Sequence, residues 1–257
     1  MGNMMFNRTK INAQLGGIPF EMFDYQSDAY IVKAMIYEPK HVKRIVIYLR
    51  GGKGAVGTVR PARLMQFAYK DTLVAAPYYR GTHQNGQDEF GGADREDVYA
   101  LVRLLKAQYD VPIHFVGFSR GGIQGLVTYQ EADVTSFITW GGVSSIYYMY
   151  DERQDLRSML KRIVGPISNK EAYDRREGIN LVTKDSPPIM IIHGTEDKLV
   201  SIQHAYLLID KLKQLGIKHE VLFIEGEHHV MRPDNERYVL QQIEKWMEEV
   251  EEERIIN

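Results

Sequence analysis

The chain has no cysteine. That excludes disulfides, thiolate nucleophiles and cysteine-ligated metals, and it suits a reducing compartment. No stretch is long and apolar enough to span a bilayer, and Met1 to Lys10 lacks the apolar core of a signal peptide. Gly2 does not open a myristoylation motif, because Phe6 stands where that motif takes Ser or Thr. A net charge of -2 gives no electrostatic pull toward nucleic acid or an anionic membrane. No Pro/Ser-rich linker or internal repeat divides the 257 residues, and no histidine cluster has metal-ligand spacing. These absences predict one domain, 1–257, cytoplasmic, with no cofactor, no metal, and neither nucleic acid nor membrane among its partners. They leave the oligomeric state open.

What is present is a regular alternation of strands and helices. Phe20 to Phe23 and Ile31 to Tyr37 read as antiparallel strands at a sheet edge. From Lys43 onward, short apolar runs alternate with helical patterns, as in a parallel sheet with helical crossovers. The strands are Arg44 to Leu49, Thr72 to Ala76, Ile113 to Val116, Ser136 to Trp140, Pro188 to Ile192 and His219 to Ile224. The helices are Pro61 to Tyr69, Asp94 to Tyr109, Ile202 to Leu215, and about Asp234 to Glu253. The predicted fold class is α/β, with a mostly parallel central sheet, helices on both faces and antiparallel N-terminal strands. One interruption, about 143–186, predicts a short helical cap over the carboxyl edge of the sheet, where open α/β folds bind ligands. Its aromatic run, Tyr147, Tyr148 and Tyr150, is expected to line the substrate pocket.

At Gly117-Phe118-Ser119-Arg120-Gly121 the strand Ile113 to Val116 meets a Gly-x-Ser-x-Gly turn, and a helix-compatible segment, Ile123 to Gln130, follows. Such a turn holds a serine in strained geometry at a strand's carboxyl end, with glycines where strand and helix must pass closely. An activated serine needs a base, and the base needs an acid to orient it. Asp197 follows the strand Ile189 to Ile192, and His228 and His229 follow Val221 to Ile224. In a parallel sheet all of these loops open on one edge, in the chain order Ser, Asp, His. Only one of the two adjacent histidines can meet both partners.

The chain resembles the α/β-hydrolases, and within them the catalytic domain of the prolyl oligopeptidase family. The likeness rests on Tyr78-Tyr79-Arg80-Gly81, on Gly91-Gly92-Ala93-Asp94-Arg95-Glu96-Asp97-Val98, on His193 to Val200, and on Glu225-Gly226-Glu227-His228-His229. The resemblance implies Ser119 as nucleophile, His229 as base and Asp197 as its partner. It departs at Arg50-Gly51-Gly52, where the family usually has His or Tyr first. The backbone N–H groups of Gly52 and Arg120 are the expected oxyanion hole, and Arg50 is read as an anchor for the loop. Only about 40 residues precede the first parallel strand, so a peptide-gating propeller is not expected. Arg80, Glu96 and the histidines at 41, 83, 114, 193, 204 and 219 are read as surface or structural polar residues.

The expected activity is cleavage of carboxylic esters with small to medium acyl groups, through an acyl-enzyme. An aminopeptidase or oligopeptidase is the alternative, and a non-catalytic binding protein on a hydrolase fold is the competing class. The expected partner is a small-molecule ester or a short peptide.

Overall fold

Alternation of apolar side chains builds the sheet. In β4 (Arg44–Leu49), Ile45, Ile47 and Leu49 enter one core while Val46 and Tyr48 enter another, as the two-residue period of a strand requires. The same division runs through β6 (Ile113–Phe118), β7 (Ser136–Trp140) and β8 (Ile189–Gly194). The computed structural model describes residues 5–11, 17–53, 58–82 and 85–256; Gly2 and His83 lie outside them.

The sheet has nine strands, completed by β1 (Phe6–Lys10), β2 (Glu21–Ser27), β3 (Tyr30–Tyr37), β5 (Thr72–Pro77) and β9 (His219–Ile224), in the order β1-β2-β3-β5-β4-β6-β7-β8-β9. The pairs β1–β2, β2–β3 and β3–β5 are antiparallel, and every pair from β5–β4 to β8–β9 is parallel. Helices cover both faces. One face carries α2 (Arg95–Lys106), α3 (Gly121–Leu126) and α7 (Gln203–Leu215); the other carries α1 (Pro61–Met65) and the long α8 (Pro233–Ile256). Between β7 and β8 the chain forms α4 (Ile146–Glu152), a 3-10 turn at Gln154–Leu156, α5 (Arg157–Ile163) and α6 (Lys170–Asp174). These elements build a third apolar cluster from Ile146, Met149, Leu160, Val164 and Tyr173, which docks onto Ile123 and Val127 behind the serine turn.

The first two helices are shorter than their patterns predict, α2 ending at Lys106 and not at Tyr109. The α1 pattern extends to Tyr69, but the helix ends at Met65. Five residues later Lys70 takes a left-handed conformation (φ 48°) to turn the chain into β5, and the intervening residues close 3-10-type bonds instead. Of the residues read as surface or structural polar, Arg80, His114, His193 and His204 are buried. Arg80 is held by Asp97, whose Oδ1 accepts from Nη2 at 2.7 Å and whose Oδ2 accepts from the Arg80 backbone N–H at 2.7 Å.

Candidate active site

Ser119 sits between β6 and α3 with φ 57°, a conformation that costs an L-residue energy and that the surroundings must impose. They impose it from both sides. The Ser119 N–H donates to Trp140 O (3.2 Å), and Ser119 O accepts from the N–H groups of Gly122 (2.9 Å) and Val143 (3.0 Å). A Cβ on Gly121 would stand 2.0 Å from Leu49 O, and one on Gly117 would stand 2.3 Å from Gly121 O. The glycines two before and two after the serine are therefore a packing requirement.

The loops after β8 and β9 meet beside this turn. Glu196 N–H donates to Glu227 O (2.9 Å), tying the loops together. Glu227, itself buried, accepts from Arg232 N–H (2.9 Å), from Asn235 Nδ2 (2.6 Å) and from the Arg232 guanidinium. The loop so braced turns His229 inward. His229 Nδ1–H donates to Asp197 Oδ2 (2.7 Å), while Asp197 Oδ1 accepts from the N–H groups of Leu199 and Val200 (2.9 Å each). Burial alone would raise the Asp197 carboxyl, but the His229 ring and the two backbone N–H groups outweigh it and hold the carboxyl below its ordinary value. The neighbouring His228 is exposed and spends Nδ1 on Glu196 O (2.7 Å).

Ser119 and His229 line one cavity of about 490 Å³, a volume ordinary for a small-molecule or short-peptide site. Gly52 and Arg120 line it too, and neither of their backbone N–H groups bonds another group among the described residues. Gly52 has φ 68°, and a Cβ on Gly51 would lie 2.9 Å from Ser119 Cβ, so this loop lies against the serine. The Arg50 guanidinium is buried and fully engaged elsewhere: Nη2 donates to Tyr78 O (2.9 Å) and Thr82 Oγ1 (2.9 Å), and Nη1 to Gly51 O (3.0 Å). A cleft of similar size, about 470 Å³, lies at the amino ends of β7 and β8 around Thr135, Pro188 and Arg254, and includes none of these groups.

The tyrosines expected in the pocket are not among its lining residues. The run Tyr147 to Tyr150 is helical, so successive residues point about 100° apart and cannot share one face. Tyr147 and Tyr150 pack on Tyr173, Tyr147 also donating to Asp174 Oδ1 (2.7 Å), and Tyr148 sets its edge against His204. The segment from α4 through the 3-10 turn into α5 lines the cavity with Met149, Glu152, Arg153, Leu156 and Met159. Their spacing of three and four was visible in the sequence. Glu152 is held in place by His204, whose buried ring accepts the Ser144 N–H at Nδ1 (3.3 Å) and donates from Nε2 to Glu152 Oε1 (3.0 Å).

Residues 59–253 match the prolyl oligopeptidase family. The chain is 42% identical over 233 residues to an uncharacterized peptidase, YtmA, of Bacillus subtilis, covering 87% of this chain and 91% of that one. A puromycin-hydrolyzing peptidase of Mycobacterium tuberculosis superposes with a TM-score of 0.75 at 19% identity, over 90% of this chain but 39% of that chain. The carboxylesterase Cest-2923 of Lactobacillus plantarum superposes with a TM-score of 0.73 at 14% identity, over 90% of this chain and 97% of that one. The two structural likenesses concern the fold, an α/β-hydrolase. The extent of the sequence match and the identity to YtmA go further, and they make this chain a serine hydrolase of the prolyl oligopeptidase family.

Proposed function

We propose that the chain cleaves short peptides or aminoacyl derivatives by acyl transfer at Ser119. The observation that carries this reading is the His229–Asp197 hydrogen bond beside a serine held at φ 57°. With Nδ1 committed to a carboxylate, Nε2 is the ring nitrogen left to take the serine proton. His229 then acts as base and Asp197 fixes its tautomer. The N–H groups of Gly52 and Arg120 receive the oxyanion, the leaving amine takes the proton back from His229, and water releases the acyl group by the same route. The apolar walls, Phe90, Val143, Met149 and Leu156, suit an apolar side chain or acyl group. Reading 1–257 as one hydrolase domain, with about 143–186 as its cap, is supported by the apolar cluster that docks this segment beside the serine turn.

The sequence alone favoured esters. The family and the peptidase name of the 42% relative now favour peptides. Ester cleavage remains the second reading, because the carboxylesterase Cest-2923 is a neighbour matched over nearly its whole length. Rates on a series of aminoacyl p-nitroanilides and p-nitrophenyl esters decide between them, the anilides being turned over with comparable kcat/KM if peptides are the substrate. A fluorophosphonate probe is expected to label the native chain and to miss Ser119→Ala. Equal labelling of both, or of neither, removes the reading.

A further inference from the structure

Two arginines fix the glycine loop beside Ser119, and they do it through its carbonyl oxygens. Arg50 Nη1 donates to Gly51 O (3.0 Å) and Arg120 Nη1 donates to Gly52 O (3.0 Å). Among the described residues there are no cis peptides, and in a trans peptide the C=O and the following N–H point in opposite directions. Holding Gly51 O therefore sets the direction of the Gly52 N–H. Holding Gly52 O ties that residue to Arg120, whose own backbone N–H faces no partner among the described residues. Both guanidiniums are themselves fixed. Asp88 Oδ2 accepts from Arg120 Nη1 (2.7 Å) and Arg50 Nη2 (3.3 Å), and Asp94 Oδ2 accepts from Arg120 Nη2 (2.6 Å). The Tyr79 ring lies against both guanidiniums, at 4.9 and 5.0 Å from their central carbons. All five residues are buried, and neither aspartate nor Arg50 lines the cavity.

We propose that Arg50, the Arg120 side chain and Asp88 are positioning residues that hold the Gly52 and Arg120 N–H groups on a common point, so that the oxyanion hole is formed before substrate arrives. This rests on the acyl-transfer reading above. Arg50 does not touch the oxyanion; its donors are spent on Tyr78 O, Thr82, Asp88 and Gly51 O. It acts through the peptide plane that follows it.

The test uses the full chain with Arg50→Lys and Asp88→Asn, folding checked by circular dichroism and active sites counted by the end point of fluorophosphonate labelling. A lysine offers one nitrogen where the guanidinium reaches Tyr78 O from Nε and Nη2 and Gly51 O from Nη1, and an asparagine weakens the hold on both guanidiniums. Each variant is expected to lose about 10²-fold in kcat with KM within threefold, the range for a misplaced oxyanion donor. Affinity for a trifluoromethyl ketone, which forms a tetrahedral oxyanion on the serine, is expected to fall in the same proportion. Folded variants whose kcat or trifluoromethyl ketone affinity is unchanged overturn the proposal. A measurement on the native chain needs no variant: on binding the ketone, the amide protons of Gly52 and Arg120 are expected to move downfield in the NMR spectrum while the Arg50 guanidinium protons stay in place. A shift at Arg50 instead would mean that it meets the oxyanion itself. If the native chain turns over neither ester nor anilide and takes no label, the acyl-transfer reading fails, which is a different result from any of these.

Discussion

Replacing Asp197 by Asn tests the proposed role of His229 as base with little change of shape. Asp197 Oδ1 accepts two backbone N–H groups at 2.9 Å, and Oδ2 accepts His229 Nδ1–H at 2.7 Å. In Asp197→Asn the two N–H donors outvote the single ring, so the amide oxygen turns toward Leu199 and Val200 and the NH₂ faces His229. Nδ1 must then accept, which moves the ring proton to Nε2, where the base needs a lone pair. The wrong tautomer costs roughly 10⁴-fold in kcat for a serine triad, or about 5 kcal/mol at about 1.4 kcal/mol per decade. The fold loses far less, since both backbone bonds survive and one charge-assisted bond becomes neutral, about 1–2 kcal/mol. In a chain of this length that lowers Tm by about 2–8 °C. Steady-state kinetics on p-nitrophenyl acetate with a thermal melt in parallel give both numbers. A folded variant within tenfold of native kcat would show that Asp197 does not set the tautomer of the catalytic base.

Three other outcomes follow from the same geometry. His229→Ala is expected to abolish turnover and fluorophosphonate labelling, while His228→Ala, whose ring is exposed and bonded to Glu196 O, keeps both within about tenfold; kinetics on the two purified variants would expose a register error if the losses were exchanged. Gly121→Ala drives a Cβ to 2.0 Å from Leu49 O, backbone that cannot rotate away, so a loss of about 3 kcal/mol or more in urea unfolding is expected, and a native midpoint would contradict the close approach. Burial pushes the His114 and His193 rings below the ordinary histidine value, with Glu251 opposing and Arg44 and Arg254 aiding the shift at His114. The folded chain binds these protons less readily than the unfolded one, so their stabilisation is present above about pH 6.5 and is lost as pH falls below it, while Asp94, pushed up to about 6 by burial, acts in the opposite sense; NMR titration of the two rings is expected to give midpoints below the ordinary histidine value, and midpoints above it would reverse the sign.

The parts of the site that sequence could reveal are those set by local backbone demands. Gly117 and Gly121 announce the serine turn because nothing larger fits against Gly121 O and Leu49 O, and the order of apolar runs fixes which loops share the sheet edge. The tyrosine run misled because its composition suggests a pocket lining while its helical geometry scatters the rings over several faces. The residues that line the cavity, Met149 with Glu152, Arg153 and Leu156, follow the helical period, but the chain leaves the helix at Arg153 (φ -107°, ψ 74°), whose Nη1 donates to Leu199 O (2.5 Å), a partner remote in sequence. Asp94 and Asp97 stand at the amino end of α2, where sequence suggests only acids suited to the helix dipole. Their carboxylates instead meet Arg120 and Arg80, partners that only the tertiary fold supplies.

The buried quartet of Arg50, Arg120, Asp88 and Asp94 raises a question of energetics that a variant can answer. Taking four charges out of water costs several kcal/mol per ion, and well-packed apolar replacements of buried ion pairs are often neutral or stabilising. Stability alone is therefore a weak reason for such a group behind the glycine loop, whereas fixed donors at an oxyanion are worth several kcal/mol to a transition state. The double variant Arg120→Met with Asp94→Asn separates the two accounts. It removes one charge of each sign, leaves Arg50 paired with Asp88, and keeps an amide oxygen for the Gly91 N–H that Asp94 Oδ1 now accepts at 3.0 Å. The Arg120 backbone N–H is untouched, but Gly52 O loses its anchor. The expected result is unfolding stability within about 2 kcal/mol of native and kcat lower by about 10²-fold, equivalent to about 2.7 kcal/mol of transition-state binding. Urea unfolding and p-nitrophenyl ester kinetics measure the two quantities on one preparation. A variant that folds as well as the native chain and turns over as fast would reduce the quartet to a structural relic; one that unfolds while its folded fraction keeps native kcat would make it a stabiliser.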